Sequence, residues 1–259
     1  MIFFGDNMMI DTHCHLCKED YENVEFIVNN MGHNKMIAAG VNDTTNQEVL
    51  ELIKEYPTVY GAIGIHPTEV GISSQSSLEW IEDNLKEDKI VAIGEIGLDY
   101  HYGIEEKEKQ MQFFKKQLDL AKKYNKPVVI HSRDAIEDTY NIMKEYKGVK
   151  MVLHCYSGSV EMAKRFLELD VYFGVGGVLT FKNSRILKDV VSFLPLDHIL
   201  LETDSPYLAP EPFRGSKNEP KNVLLVAETL ASIKGISVEE VIDITTKNAF
   251  YRFDLNNSL

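Results

Sequence analysis

The sequence predicts an α/β fold, a single (β/α)8 or TIM barrel, on three observations. The chain has 259 residues, close to the roughly 250 that one such barrel uses. Short apolar runs alternate with longer amphipathic stretches through to the carboxyl end, which is the pattern of repeated βα units. No Gly/Ser linker, low-complexity tract or shift of composition divides the chain, so one domain over residues 9–259 is expected.

Eight runs qualify as strands in order: 8–13, 35–40, 58–65, 90–96, 127–131, 150–154, 171–175 and 198–202. Between them the helical signal is clearest over 105–124, where Met111, Phe114, Leu118 and Ala121 recur at three- and four-residue steps and so share one packing face. Trp80 falls in another helical pattern and reads as core. Asp134, Ser157 or Ser159, and Asn183 or Ser184 follow strands where helix caps are expected, since their short oxygens can accept from free first-turn amides. An open doubly wound sheet would want a glycine-rich phosphate turn after its first strand. The one comparable cluster, Gly174-Val175-Gly176-Gly177, comes late and reads as a strand-to-loop turn.

Hydrophobic residues at 44% and charged residues at 26% suit a full globular core. The formal charge of −13 repels polyanions at long range, so a nucleic-acid substrate would have to be held locally. Bound divalent cations would offset part of that charge. Cys14, Cys17 and Cys155 cannot all pair; no structural disulfide and a reducing cytoplasm are expected. The Cys14/Cys17 spacing has no second pair to complete a zinc knuckle. Residues 1–8 carry no Lys or Arg and are too short for a signal peptide or a membrane span. They are expected to form an extension, with Met8 or Met9 as the alternative start.

The chemistry sits where the apolar runs end. The first ends in His13-Cys14-His15; two residues apart on a strand, the histidines share a face and Cys14 points away. Later runs end in Glu95, His131, His154 and Asp204. In a barrel these ends converge on the carboxyl-terminal rim, where catalysis is done, and a buried imidazole without a partner would be costly. The expected geometry gives two divalent ions, with Glu95 as bridge, because a carboxylate has two oxygens and an imidazole offers one nitrogen at a time. His13, His15, Glu95 and Asp204 are expected at one ion; Glu95, His131 and His154 at the other. Two such ions, roughly 3.5–4 Å apart in comparable sites, activate water and steady a leaving oxygen. Asp204 is both a ligand and the expected base.

Five ordered motifs carry a resemblance: Met9-Ile-Asp-Thr-His13-Cys-His15-Leu, Gly94-Glu95-Ile-Gly-Leu-Asp-Tyr, His131-Ser-Arg-Asp-Ala, His154-Cys-Tyr-Ser-Gly-Ser and Glu202-Thr-Asp204-Ser-Pro-Tyr-Leu-Ala-Pro. Together they resemble the TatD family of metal-dependent deoxyribonucleases, from about Met9 to the end, and Arg214-Gly215 with Asn218-Glu219-Pro220 fits that family's last loop. The resemblance implies a metal-dependent barrel hydrolase acting on DNA and carries the six ligand roles onto the six positions above. It also points to His66, in Gly-Ile-His-Pro, as a catalytic or substrate contact. Two departures stand out: Cys17 where the family pattern suggests Asp, and Tyr251-Arg252-Phe253 in place of an apolar ending.

Arg133, Lys182 and Arg214 lie just past strand ends and are the expected phosphate contacts, a guanidinium fork suiting phosphate oxygens. Tyr100 and Tyr156 read either as base-stacking or as packing residues; His33, His101 and His198 read as structural. The leading expectation is a phosphodiester hydrolase acting on DNA. The alternative is a metal-dependent deacylase or amidohydrolase cutting an amide or an aminoacyl ester, as on transfer RNA, and a non-catalytic metal scaffold ranks last. Four imidazoles suit Zn, Mn, Fe, Ni or Co better than Mg, although the resemblance also implies magnesium. No membrane association and a monomer are expected.

Overall fold

The computed structural model describes residues 8–255; the expected extension, Met8 apart, lies outside them. The eight strands are β1 (Ile10–Cys14), β2 (Lys35–Ala39), β3 (Val59–Ile63), β4 (Ile90–Asp99), β5 (Val128–Arg133), β6 (Met151–Leu153), β7 (Tyr172–Val175) and β8 (Ile199–Leu201). Each pairs in parallel with the next in chain order. The helices between are α1 (Val24–Asn29), α2 (Asp43–Glu55), α3 (Gln75–Asn84), α4 (Lys107–Tyr124), α5 (Ile136–Met143), α6 (Val160–Leu167) and α7 (Arg185–Phe193), followed by α8 (Val223–Lys234) and α9 (Val238–Arg252). The barrel closes at a short seam: Cys14 bridges Ser205 in parallel, the His15 amide donates to the Ser205 carbonyl at 2.7 Å, and the Asp204 amide donates to the His13 carbonyl at 3.0 Å.

Two apolar layers follow from strand alternation. One residue from each strand, and two from β4 (Ile10, Ile37, Ala62, Val91, Ala92, Val129, Val152, Tyr172, Leu200), join Ala249, Phe253 and Leu255 from the last helix and its end in one buried cluster. Their strand neighbours Met36, Val59, Ile90, Val128, Met151, Phe173 and Leu201 pack outward against helices in the larger cluster. The departure at the carboxyl end has a structural job: Arg252 is only 1% exposed, donates from Nη2 to the Asp170 carbonyl and carboxylate at 2.9 and 3.0 Å, and lies 3.7 Å from the Tyr172 ring centre. Phe253 is buried beside it.

Several boundaries differ from expectation. β4 runs on to Asp99 and β5 to Arg133 because Gly97, Leu98 and Asp99 pair with His131, Ser132 and Arg133. α4 starts at Lys107 after a 3-10 turn, Ile104–Glu106. Asp134 does not cap α5. It takes φ 54°, the cap position falls to Ala135, and the Asp134 carboxylate lies 3.1 Å from His101 Nδ1. Ser159 caps α6 by accepting from the Met162 amide. Ser184 stands at the start of α7, but its hydroxyl donates backward to the Phe181 and Leu179 carbonyls. No helix among the described residues is long and apolar enough to cross a membrane, and all three cysteines are free thiols.

Candidate metal centre

Strict alternation would not aim every ligand inward; two register slips do. Pairing of β1 with β2 shifts between Asp11 and Cys14, and pairing of β4 with β5 shifts between Ile93 and Ile96. Ile93 and Ile96 both pack in the outer core, so the slip turns Glu95 to the inside, as bulges beside active sites commonly do. The Glu95 amide donates to the Gly40 carbonyl at 3.0 Å. Asp204 takes φ 55°, a conformation that costs a non-glycine residue about 1–2 kcal/mol, and the barrel seam holds it there.

The two oxygens of Glu95 divide the histidines. Oε2 lies 3.4 Å from His13 Nε2 and 3.6 Å from His15 Nε2, and the same two nitrogens lie 3.6 and 3.4 Å from Asp204 Oδ1. Oε1 lies 2.7 Å from His154 Nε2, 2.9 Å from His131 Nδ1 and 3.4 Å from His66 Nε2. All six positions expected as ligands therefore meet, and His66 joins the Oε1 half. Within each half the imidazole nitrogens face one another, His13 and His15 at 3.3 Å and His131 and His154 at 3.2 Å. One shared proton satisfies one such contact, whereas a divalent cation satisfies several lone pairs at once, so the donor set fits metal.

The charges agree with that fit. Burial alone would raise the Glu95 carboxyl, but His154, His66, His13 and His131 around it hold it well below the ordinary carboxylate range. Burial, with His154 alongside, lowers His13 to about 4. Burial also disfavours charge on His154, yet Glu95, Glu202 and Asp204 raise it to about 10. Asp204, like Glu95, is held below the ordinary carboxylate range by the histidines around it, against the effect of burial.

The family described as TatD related DNase matches residues 10–254. The chain belongs to the TatD family. It is 40% identical over 255 residues to the uncharacterized metal-dependent hydrolase YabD of Bacillus subtilis strain 168, covering 96% of this chain and 100% of YabD. It is 36% identical to the uncharacterized metal-dependent hydrolase YcfH of Escherichia coli K12, covering 96% and 97%. The crystal structure of YJJV, a TatD homologue from Escherichia coli K12, superposes with a TM-score of 0.89 at 31% identity, covering 96% and 98% of the two chains. The protein is thus a TatD-family metal-dependent hydrolase with the TIM-barrel fold.

Around this TatD-type centre lie two cavities. The first, about 660 Å³, runs from His131, His154 and Asp204 past Ser132, Arg133 and Tyr156 to Asn183, Ser184 and Arg185. The second, about 670 Å³, runs from the same centre past His66 to Glu19, Asp20 and Glu69. Arg133 borders both, its guanidinium 4.7 Å from the Tyr102 ring centre. Lys182 and Arg214 border neither; Lys182 is exposed, and Arg214 lies over the Phe181 ring at 4.2 Å. Arg185, the first residue of α7, borders the first cavity where Lys182 does not, and both side chains are exposed. Cys17 borders the second cavity, its thiol pushed up to about 12 by burial. Tyr156 is buried, donates to the Ser159 carbonyl and packs on Phe166 and Phe173, and the Tyr100 hydroxyl donates to Asp138. Both tyrosines are held by packing and hydrogen bonds, Tyr156 at the border of the first cavity.

Sequence reasoning passed over two buried carboxylates that stand behind the candidate ligand imidazoles. Asp99 Oδ2 lies 3.0 Å from His131 Nε2, and Glu202 accepts from the Cys155 amide at 2.5 Å and stands 3.9 Å from His154 Nδ1. Burial pushes the Glu202 carboxyl up to about 7. Its space exists because residue 174 lacks a side chain: a Cβ there would meet Glu202 Oε2 at 2.1 Å. Gly174→Ala is expected to destabilise the fold by about 1–3 kcal/mol through overpacking. Urea denaturation reads this, and an unchanged midpoint would contradict the packing described.

Proposed function

We propose that the centre holds two divalent ions, one on His13, His15, Asp204 and Glu95 Oε2, the other on His131, His154 and Glu95 Oε1, and that the protein hydrolyses phosphodiesters, as in DNA. Bound there, such ions supply Lewis-acid polarisation and an acidified water. Asp204, on the wall of both cavities, takes the proton of the attacking water. His66, whose Nδ1 is 2.7 Å from Thr68 Oγ1, keeps its Nε2 turned to the centre and contacts substrate or second ion. The bond class rests on one observation: the cavity leading from His131, His154 and Asp204 has Arg133 and Arg185 on its wall and no carboxylate there except Asp204. Guanidinium forks in that position match phosphate oxygens.

The test is hydrolysis of a short DNA oligonucleotide by metal-stripped protein reloaded separately with Zn, Mn, Fe, Ni, Co or Mg. Arg133→Ala and Arg185→Ala are each expected to raise KM about 10- to 100-fold, since a hydrogen bond to a charged group is worth about 1.5–3 kcal/mol. Lys182→Ala is expected to change it less than about two-fold, as for a solvated surface charge. Equal effects from all three would remove the assignment of the cavity.

A second reading, hydrolysis of an amide or aminoacyl ester, draws on the other cavity, where Glu19, Asp20 and Glu69 would suit a substrate ammonium. Cleavage of an aminoacyl ester with the oligonucleotide left intact would select it over the first.

A further inference from the structure

We infer that Asp99 is a positioning residue that fixes which nitrogen His131 turns toward Glu95. The inference rests on the metal reading above and is independent of which bond is cut. His13, His15, His66 and His154 all face Glu95 with Nε2; His131 faces it with Nδ1. That reversed presentation needs a partner on the other ring nitrogen, and Asp99 Oδ2 is there at 3.0 Å. A carboxylate accepts and does not donate. With an ion held beside Glu95, His131 would keep its proton on Nε2 for Asp99 and offer the Nδ1 lone pair to that ion, on the side where Glu95 Oε1 lies 2.9 Å and His154 Nε2 3.2 Å away.

Asp99 has no freedom to do otherwise. Its Oδ1 accepts from the Tyr102 and His101 amides at 2.8 and 2.9 Å. Its own amide donates to Gln110 Oε1 at 2.9 Å, and its carbonyl accepts from Gln110 Nε2 at 2.9 Å. Gln110 is fully buried on α4. The outer layer of the barrel thus grips Asp99 on three sides and leaves only Oδ2 for the histidine. Orientation of a metal-binding imidazole by a carboxylate behind it also raises its basicity, and loss of such a partner typically costs 10- to 100-fold in metal affinity.

The substitution that separates shape from protonation is Asp99→Asn. The two amides from Tyr102 and His101 retain its carbonyl oxygen, so its NH₂ group faces His131 and donates. His131 must then accept on Nε2 and carry its proton on Nδ1, aimed at Glu95. Full-length protein stripped of metal is titrated with Zn²⁺ by calorimetry, with elemental analysis after desalting. Wild type is expected to take two equivalents. Asp99→Asn is expected to keep the first and bind the second about 10- to 100-fold more weakly, with Asp99→Ala no worse than the isosteric Asn. Nitrogen-15 NMR of histidine-labelled wild type should show His131 Nε2 protonated, and in Asp99→Asn the proton on Nδ1; the wild-type spectrum tests the proposal even if a variant folds poorly.

Wild-type affinity for the second ion in Asp99→Asn, a much larger loss in Ala than in Asn, or a wild-type His131 protonated on Nδ1 would each overturn the role of Asp99. Uptake of fewer than two equivalents by wild type would instead overturn the two-ion reading, and this inference with it.

Discussion

Replacing Glu95 with alanine is expected to abolish tight binding at both metal positions and to lower turnover by roughly 10³-fold or more. Both halves of the centre draw on this one carboxylate: Oε2 faces the His13, His15 side and Oε1 the His131, His154 side. A single truncation therefore removes a ligand from each. Metal ions of this kind contribute several kcal/mol of transition-state stabilisation, and each 1.36 kcal/mol is a factor of ten in rate. Elemental analysis gives the metal content, and turnover on the best substrate gives the rate. A variant that holds two ions and works at the wild-type rate would show that Glu95 bridges nothing.

Removal of both ions is expected to lower the melting temperature by about 15–30 °C. The donors come from five strand ends or the loops just after them, so the assembled centre exists only in the folded chain and binding is linked to folding. At free metal about a thousand times Kd, one site stabilises by about 4 kcal/mol, and about 2–4 °C per kcal/mol is usual for a domain of roughly this size. Differential scanning calorimetry before and after chelation, then after metal is restored, measures the shift. Identical melting curves with and without metal would mean that the ions contribute nothing to the fold.

The eight strands, and the meeting of the six positions expected as ligands, were readable in the sequence because both follow from local pattern. An apolar run marks a strand, and the polar residue that ends it falls on the rim. What escaped depends on neighbours distant in sequence. Asp99 sits within a quoted motif, yet its part is set by β4–β5 register, which lays Gly97 against His131 and Asp99 against Arg133. Glu202 reads as the end of an apolar run until Gly174, on the adjoining strand, is seen to make its room. Lys182 and Arg185 are three residues apart, and only Arg185 borders the first cavity, after a turn without periodic signal. The helix cap at Asp134 failed for a related reason: its backbone had already entered the left-handed region, where a cap's extended geometry is lost.

The seam of the barrel has a consequence for how the protein is made. His13 and His15 precede by about 190 residues the strand they must meet and the Asp204 and Ser205 that join them. A chain that ends before β8 carries five of the six positions expected as ligands and no closed ring to bring them together. Assembly of the candidate centre therefore waits on ring closure, the step that brings Asp204 to His13 and His15.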